Sequence, residues 1–164
     1  AFERVDRTIV LVADTLSQDP TRMMLEVKGT RFKDVNDPLY DLPSSFLASE
    51  HPLGFGLEHL QVGDVVINDV ENADVDEAYK AALRQMGVQA LAVFAISPML
   101  AGARTLGWLI LHSMTEPQAF KSSDVRFLQT AIYQASTALE GIRLVEQTQA
   151  RARRLQAAAA RPSR

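Results

Sequence analysis

The chain has 164 residues, 47 % of them hydrophobic, which is enough for one domain with a buried core. Its formal net charge of -3 argues against a general nucleic-acid surface, which needs a dominant basic field. No cysteine occurs, so disulfides, thiolate nucleophiles, zinc-thiolate sites and thioether-linked chromophores are excluded. The longest apolar run, residues 106–111, is far shorter than the roughly 20 residues of a membrane helix, and we expect a cytoplasmic protein without a membrane partner.

The N-terminal third predicts a β-hairpin. Residues 7–14 are β-branched and apolar without alternation, which favours a strand buried on both faces. Asp14, Asp19 and Pro20 supply turn formers, and residues 23–29 predict the return strand, nearer the edge of the sheet.

The middle of the chain is irregular in pattern. Prolines frame short apolar clusters between residues 31 and 63, which favours short helices and loops. Residues 64–69 then predict a brief strand, and residues 76–87 predict an amphipathic helix closed by Gly87 at its C-terminus.

Two strong strands and one long helix complete the sequence. Residues 88–100 and 104–112 predict a hairpin whose tight connection uses Gly102. Ser122 is the predicted N-cap of a helix that continues from Asp124 to about Ala160. We therefore predict an α+β fold, a three-layer sandwich in which helices cover both faces of an antiparallel central sheet, with a long C-terminal helix. Residues 1–144 form the expected domain, and residues 145–164 extend the helix as a linker.

This order of elements resembles a GAF domain over roughly residues 8–144, with single residues at characteristic places: Gly87, Pro98, Gly107, Phe120 and Asp124. The resemblance implies signalling helices on one face of the sheet and a small-molecule pocket on the other. It also implies a setting in larger sensors, such as histidine kinases, cyclases, phosphodiesterases, phosphatases and transcription activators. The helix that usually precedes the first strand is largely missing, because residues 1–6 are too few to form it.

Departures from the family pattern narrow the range of possible ligand classes. His112 and Ser113 stand where cyclic-nucleotide members carry Asn-Lys, and Val125 replaces a Glu, whereas Phe120 and Asp124 match. The Lys–Asp ion pair of those members cannot form through Ser113, so a cyclic nucleotide is unsupported. Bilin attachment and methionine-sulfoxide reduction use cysteine in the family, so no covalent bilin is expected and the cofactor is unknown.

The resemblance also suggests where a ligand would lie. Asn68 and Asp69 follow a buried strand and precede the helix that would roof the pocket, so they are the predicted polar contacts. The facing of strands that are apolar throughout cannot be fixed from the sequence, and Trp108 could lie under the long helix instead. The candidates for the apolar wall, each of which is more often simple core, are Phe55, Tyr79, Phe94, Ile96 and Trp108.

Metal and haem sites have weaker support. Acidic residues are frequent between positions 64 and 77, but they lack the spacing and the turn glycine of an EF-hand, which favours a solvated loop and a charged helix start. His51, His59 or His112 could supply one axial ligand, so a non-covalent haem-based sensor is an alternative.

The expected function is a regulatory module of a larger signal-transduction protein that senses a small molecule and relays its occupancy through the C-terminal helix. No catalysis is predicted, because no Ser–His–Asp arrangement and no glycine-rich phosphate loop occur. A ligand-free dimerisation or spacer module is the other alternative. Heptad spacing of Leu128, Ala135, Ile142 and Val145 predicts the seam of a parallel homodimer. The partners implied are the ligand, a second copy and a linked output domain such as a histidine kinase, cyclase or phosphatase.

Overall fold

A computed structural model describes residues 3–13, 22–55, 57, 64–97 and 105–161. Within these ranges the strands are β1 (Arg7–Ala13), β2 (Met24–Phe32), β3 (Ser45–Leu47), β4 (Val65–Ile67), β5 (Ala90–Ile96) and β6 (Gly107–Ser113). Helix α1 spans Glu77–Gln85, helix α2 spans Ser122–Ala159, and a 3-10 turn covers Ala48–Glu50.

The strands form one antiparallel sheet in the order β3-β2-β1-β6-β5-β4. The central pair β1 and β6 aligns Leu11 with Trp108, and β5 and β6 align Val93 with Ile110. The edge strands β3 and β4 have three residues each, so little unpaired backbone is presented at either edge. The predicted antiparallel sheet is confirmed.

Each face of the sheet carries its own hydrophobic core and its own helix. We call them the α1 face, where Ile9, Leu11 and Trp108 pack with Leu83, and the α2 face, where Phe94 packs with other apolar side chains. The α2-face cluster is completed by Ala90, Ala92, Leu111, Ala119, Phe120 and Leu128. The alternation of a strand separates the two cores, because successive side chains point to opposite faces. The expected helices on both faces are thus found.

Two glycines have a steric role in this arrangement. Gly87 has a φ of +73° just after α1, which confirms the predicted glycine at the end of that helix. At Gly107 a Cβ atom would overlap the backbone carbonyl oxygen of Leu11 on the neighbouring strand. A side chain at position 107 would therefore push β6 away from β1.

Two local predictions differ from the structure, and a third falls on residues that it does not describe. Residues 45–47 were expected in an irregular region but form β3, whose backbone pairs with β2. Ser122 is not the N-cap of α2: Lys121 is, and it makes no side-chain capping bond. The predicted turn at Gly102 lies outside the described residues.

Helix α2 is 38 residues long and only its first part packs on the sheet. Leu128 and Ser136 are buried, and Val125 and Ile132 pack half-buried on the same α2-face core. Every residue from 141 to 161 is exposed. Among the described helices none combines the length and the hydropathy needed to cross a membrane.

Candidate functional site

Tyr79 and Phe55 are the candidate wall residues nearest to helix α1. Tyr79 lies on α1 and packs against the α1-face core, where burial raises the pKa of its phenol to about 12. Phe55 is 40 % exposed and lines a shallow groove of about 300 Å³ with Ala78, Ala82 and His51. Both aromatic rings therefore lie near α1, but Tyr79 packs against the core whereas Phe55 lies at the surface.

Phe94 and Ile96 lie on the opposite side of the sheet. Phe94 is fully buried in the α2-face core, and Ile96, two residues further along β5, lines an open cleft beside Leu139 of α2. The alternation of β5 turns Val93 to the α1 face and Phe94 to the other, so Phe94 lies across the sheet from Tyr79. The structure does not bring the candidates together around one cavity.

Asn68 is hydrogen-bonded to the segment that leads into α2. Its Nδ2 donates to the carbonyl oxygen of Phe120 at 2.9 Å, and its Oδ1 accepts from the Phe120 amide at 3.0 Å. Its carbonyl oxygen accepts from the Gln118 amide at 2.6 Å. The predicted polar ligand contact is thus a structural clamp on the α2 side, and direct contact with a ligand stays a prediction.

Asp69 closes the turn that follows Asn68. Its Oδ2 accepts from Nδ2 of Asn72 at 2.7 Å and its Oδ1 from the Asn72 amide at 3.3 Å. The side-chain bond from Asn72 holds the pKa of Asp69 below its usual range. The carboxylate stays ionised and stabilises the turn.

Two other acidic residues of this region also have protein partners. Asp76 caps α1 by accepting from the Ala78 amide at 2.8 Å, and Glu71 forms a two-bond ion pair with Arg84 at 2.9 Å each. No group of three metal-ligating side chains occurs within the described ranges. These bonds give the acidic residues structural roles: they cap the start of α1 and stabilise the turn before it.

His51 and His112 have different surroundings. His51 stacks on Phe46 with ring centroids 4.5 Å apart, and its Nδ1 accepts from the Leu53 amide at 3.1 Å. His112 is buried beside Arg7, and burial, reinforced by the guanidinium charge, lowers the pKa of His112 to about 3. His59 lies outside the described residues. To bind a haem iron, His51 would have to lose its hydrogen bond from the Leu53 amide. The His112 ring is buried, so a haem could not reach it without rearrangement of the core.

A family model described as GAF domain matches residues 3–139. The chain belongs to the GAF domain family. A comparison with curated proteins finds no significant match.

Solved structures resemble this GAF domain in fold at low sequence identity. GAF3 of Slr1393 from Synechocystis sp. PCC6803, in its photoproduct state, has a TM-score of 0.65 at 18 % identity, covering 88 % of this chain and 87 % of that one. The blue-light absorbing PixJ GAF domain of Thermosynechococcus elongatus gives 0.61 at 22 %, covering 88 % and 80 %. A domain of a putative two-component sensor histidine kinase from Sinorhizobium meliloti 1021 gives 0.56 at 14 %, covering 88 % and 85 %.

Two positions compared with the family pattern, one that departs from it and one that matches it, have structural roles in this GAF domain. Ser113 is fully buried and donates through Oγ to the carbonyl oxygen of Glu116 at 3.1 Å. Phe120 is 5 % exposed and fills the α2-face core, as a hydrophobic plug would. The turn before α2 is therefore fixed by packing and by backbone bonds.

The predicted dimer seam divides into a buried and an exposed part. Leu128 is only 9 % exposed because it packs in the α2-face core, so it offers little surface to a second copy. Ala135 is exposed, and Ile142 and Val145 are each 56 % exposed. The surface available to a second copy begins beyond the sheet contact of α2.

Two features of the GAF domain were not predicted from the sequence. One is the cleft of about 970 Å³ between α2 and the sheet, lined by Val10, Val12, Leu139 and Ile142 among others. The other is the buried ion pair in which Nε of Arg7 donates to Asp37 at 2.6 Å. The only signal for the second is an arginine that shares the inward side of an otherwise apolar strand.

Proposed function

We propose that this GAF domain is a sensory module of a larger signal-transduction protein and that helix α2 carries its output. One observation supports this most directly: α2 packs on the sheet through Leu128 and Ser136 and then continues, with every side chain exposed, from residue 141 to 161. A helix gains most of its stability from packing an apolar face, so an exposed extension of this length calls for a partner.

The partner we propose for the extension is a second copy of the same helix. Ile142 and Val145 present apolar surface beyond the sheet, and Ile142 also borders the cleft with Val10 and Val12. Arg143 and Glu146, on the same stretch of α2, offer opposite charges at the rim of that cleft. The neighbouring alanines allow close approach with little burial, so the pairing would be weak and easily re-registered.

The ligand we propose is a small molecule held on the α1 face, near Tyr79 and the turn at Asp69. The raised pKa of Tyr79 keeps the phenol protonated, so its hydroxyl can donate a hydrogen bond. Asp69 and Asn68 remain the proposed polar groups, each with hydrogen-bonding capacity left over. Occupancy would shift the balance between two packings of α1 against the sheet, without chemistry.

Native mass spectrometry of the purified protein tests this function. A sensory module should carry a mass excess of a few hundred daltons at most that is lost on acid denaturation, and hydrogen exchange in α2 should change when it is lost. A polypeptide mass alone, together with no thermal shift from any small molecule in a metabolite panel, would favour the ligand-free spacer. A Soret band after haem addition would favour the haem sensor.

A further inference from the structure

The edge strand β4 is fastened at one end to helix α2 and at the other to the segment that leads into α2. Before the strand, Oδ2 of Asp64 accepts from Nε2 of Gln129 at 3.0 Å. After it, Asn68 makes the reciprocal pair with the Phe120 backbone at 2.9 and 3.0 Å. The two attachments join the last strand of the sheet to α2 and to the residues just before it.

The turn after β4, residues 68–72, is also attached to the α1 face. Val70 is 1 % exposed in the α1-face core, and its amide donates to the Gln89 carbonyl at 3.0 Å. Glu71 receives both Nε and Nη2 of Arg84 on α1, and its carbonyl lies 3.4 Å from Nζ of Lys80. Residues 68–72 therefore pass around the sheet edge and contact one helix on each side.

The segment just before α2, to which Asn68 is bonded, has an unusual backbone conformation. Gln118 has a φ of 59°, the one positive value among described non-glycine residues. L-residues avoid this region because of the contact between Cβ and the carbonyl oxygen, so such a conformation persists only where its surroundings impose it. Here the Gln118 amide donates to the Asn68 carbonyl at 2.6 Å, and Phe120 is held by the Asn68 side chain two residues later. The path into α2 thus depends on Asn68.

We propose that Asn68 is a positioning residue and that the turn 68–72 is a mechanical linkage through which a displacement of α1 reaches the start of α2. The linkage runs from Arg84 to Glu71, along four residues of backbone, and from Asn68 to Phe120. It goes around the edge of the sheet, so it does not require any strand to slide within the ladder. The inference rests on the proposed function in taking α2 as the output element.

Amide hydrogen exchange of the ligand-free chain, followed by NMR, tests the linkage. In Asn68→Leu the Phe120 amide loses its acceptor, and its exchange should become at least about tenfold faster than in the parent. Arg84→Ala releases the α1 side and should speed Phe120 and Val125 exchange about two- to fivefold in the parent. The same change in the Asn68→Leu background should add nothing, because the path is already cut.

Two further variants separate positioning from general loss of stability. Asn68→Asp keeps the acceptor for the Phe120 amide and should restore its protection, although the bond to the Phe120 carbonyl is lost. Gln129→Ala removes the exposed attachment at the other end of β4 and should leave Phe120 unchanged. All rates are compared with those of the Ile9 and Ile110 amides in the central strands, which report global opening.

Equal effects of Arg84→Ala with and without Asn68, or full protection of Phe120 in Asn68→Leu, would overturn the linkage. Neither a ligand nor a dimer enters this measurement. A negative result would therefore leave the proposed sensory role in place, whereas a parent that binds nothing and stays monomeric would remove that role without touching the exchange data.

Discussion

Arg7 and Asp37 form a buried ion pair across 30 residues of chain, with Nε and Oδ2 2.6 Å apart. Their side chains are 0 % and 4 % exposed. The same guanidinium donates through Nη1 to the carbonyl oxygen of Met86 at 2.8 Å, where α1 ends. One side chain therefore ties the first strand to the segment after β2 and to the helix of the α1 face.

Asp37→Ala should destabilise the domain by about 3–5 kcal/mol, because the Arg7 charge would remain buried without its counter-ion. Urea unfolding followed by Trp108 fluorescence measures the change. Glu71→Gln, which breaks an exposed ion pair, is the matched control and should change little. Similar losses in the two variants would contradict the importance of burial, and an Arg7→Met, Asp37→Leu pair should recover much of the stability.

Stability should fall as the pH drops below about 6.5, in part through His112. Burial lowers the pKa of His112 to about 3 in the folded chain, while the unfolded chain titrates near its ordinary value. Between these values the unfolded state binds one proton more, so acid favours unfolding by about 1.4 kcal/mol per pH unit from this group, and its contribution is constant above that window. Urea midpoints between pH 7.5 and 4.5 should vary less steeply in His112→Gln; an unchanged slope would disprove the assignment.

Gly107→Ala and Gly141→Ala should change stability in opposite directions. The added methyl at position 107 meets the Leu11 carbonyl and should cost about 1–3 kcal/mol through overpacking. At position 141 a Cβ meets nothing within 4 Å, so alanine should stabilise the exposed helix by about 0.5–1 kcal/mol. Thermal unfolding of both variants measures these changes in stability. If Gly107→Ala leaves the stability unchanged, β1 and β6 are not so closely apposed.

The double variant Ile142→Asp, Val145→Asp should be a folded monomer, since charge on that face prevents α2 pairing. Light scattering with circular dichroism measures both properties. Leu144→Asp is the control: Leu144 is 55 % exposed between the two, but on another side of the helix, so its variant should remain dimeric. A monomeric parent at high concentration, or equal disruption by the control, would refute the seam.

Elements that depend on local pattern could be predicted from the sequence. The apolar stretches of β1, β5 and β6, the helix closed by Gly87 and the long α2 all lie where residue periodicity and punctuation placed them. The strand β3 was missed because its three residues gain their conformation from pairing with β2 and carry no period of their own. Short segments of this kind are determined by tertiary contacts.

The site was harder to predict for physical reasons. In β5 every residue is apolar, so hydrophobic pattern could not tell the face of Phe94 from that of Val93. The partners of Arg7 and Asn68 lie 30 and 52 residues away, beyond any local signal. Leu128 fits a heptad and a sheet contact equally well, and only the position of the sheet decides between them.

Because α2 is long, a small tilt at its base moves its far end by a larger distance. At 1.5 Å per residue its 38 residues span about 57 Å, yet its firm attachments to the sheet lie within its first 15 residues or so. A tilt of about 5° around the middle of that base would move the far end sideways by about 4 Å. A shift at Phe120 too small to disturb the core would therefore arrive at the end of the helix as a sideways displacement of several ångströms.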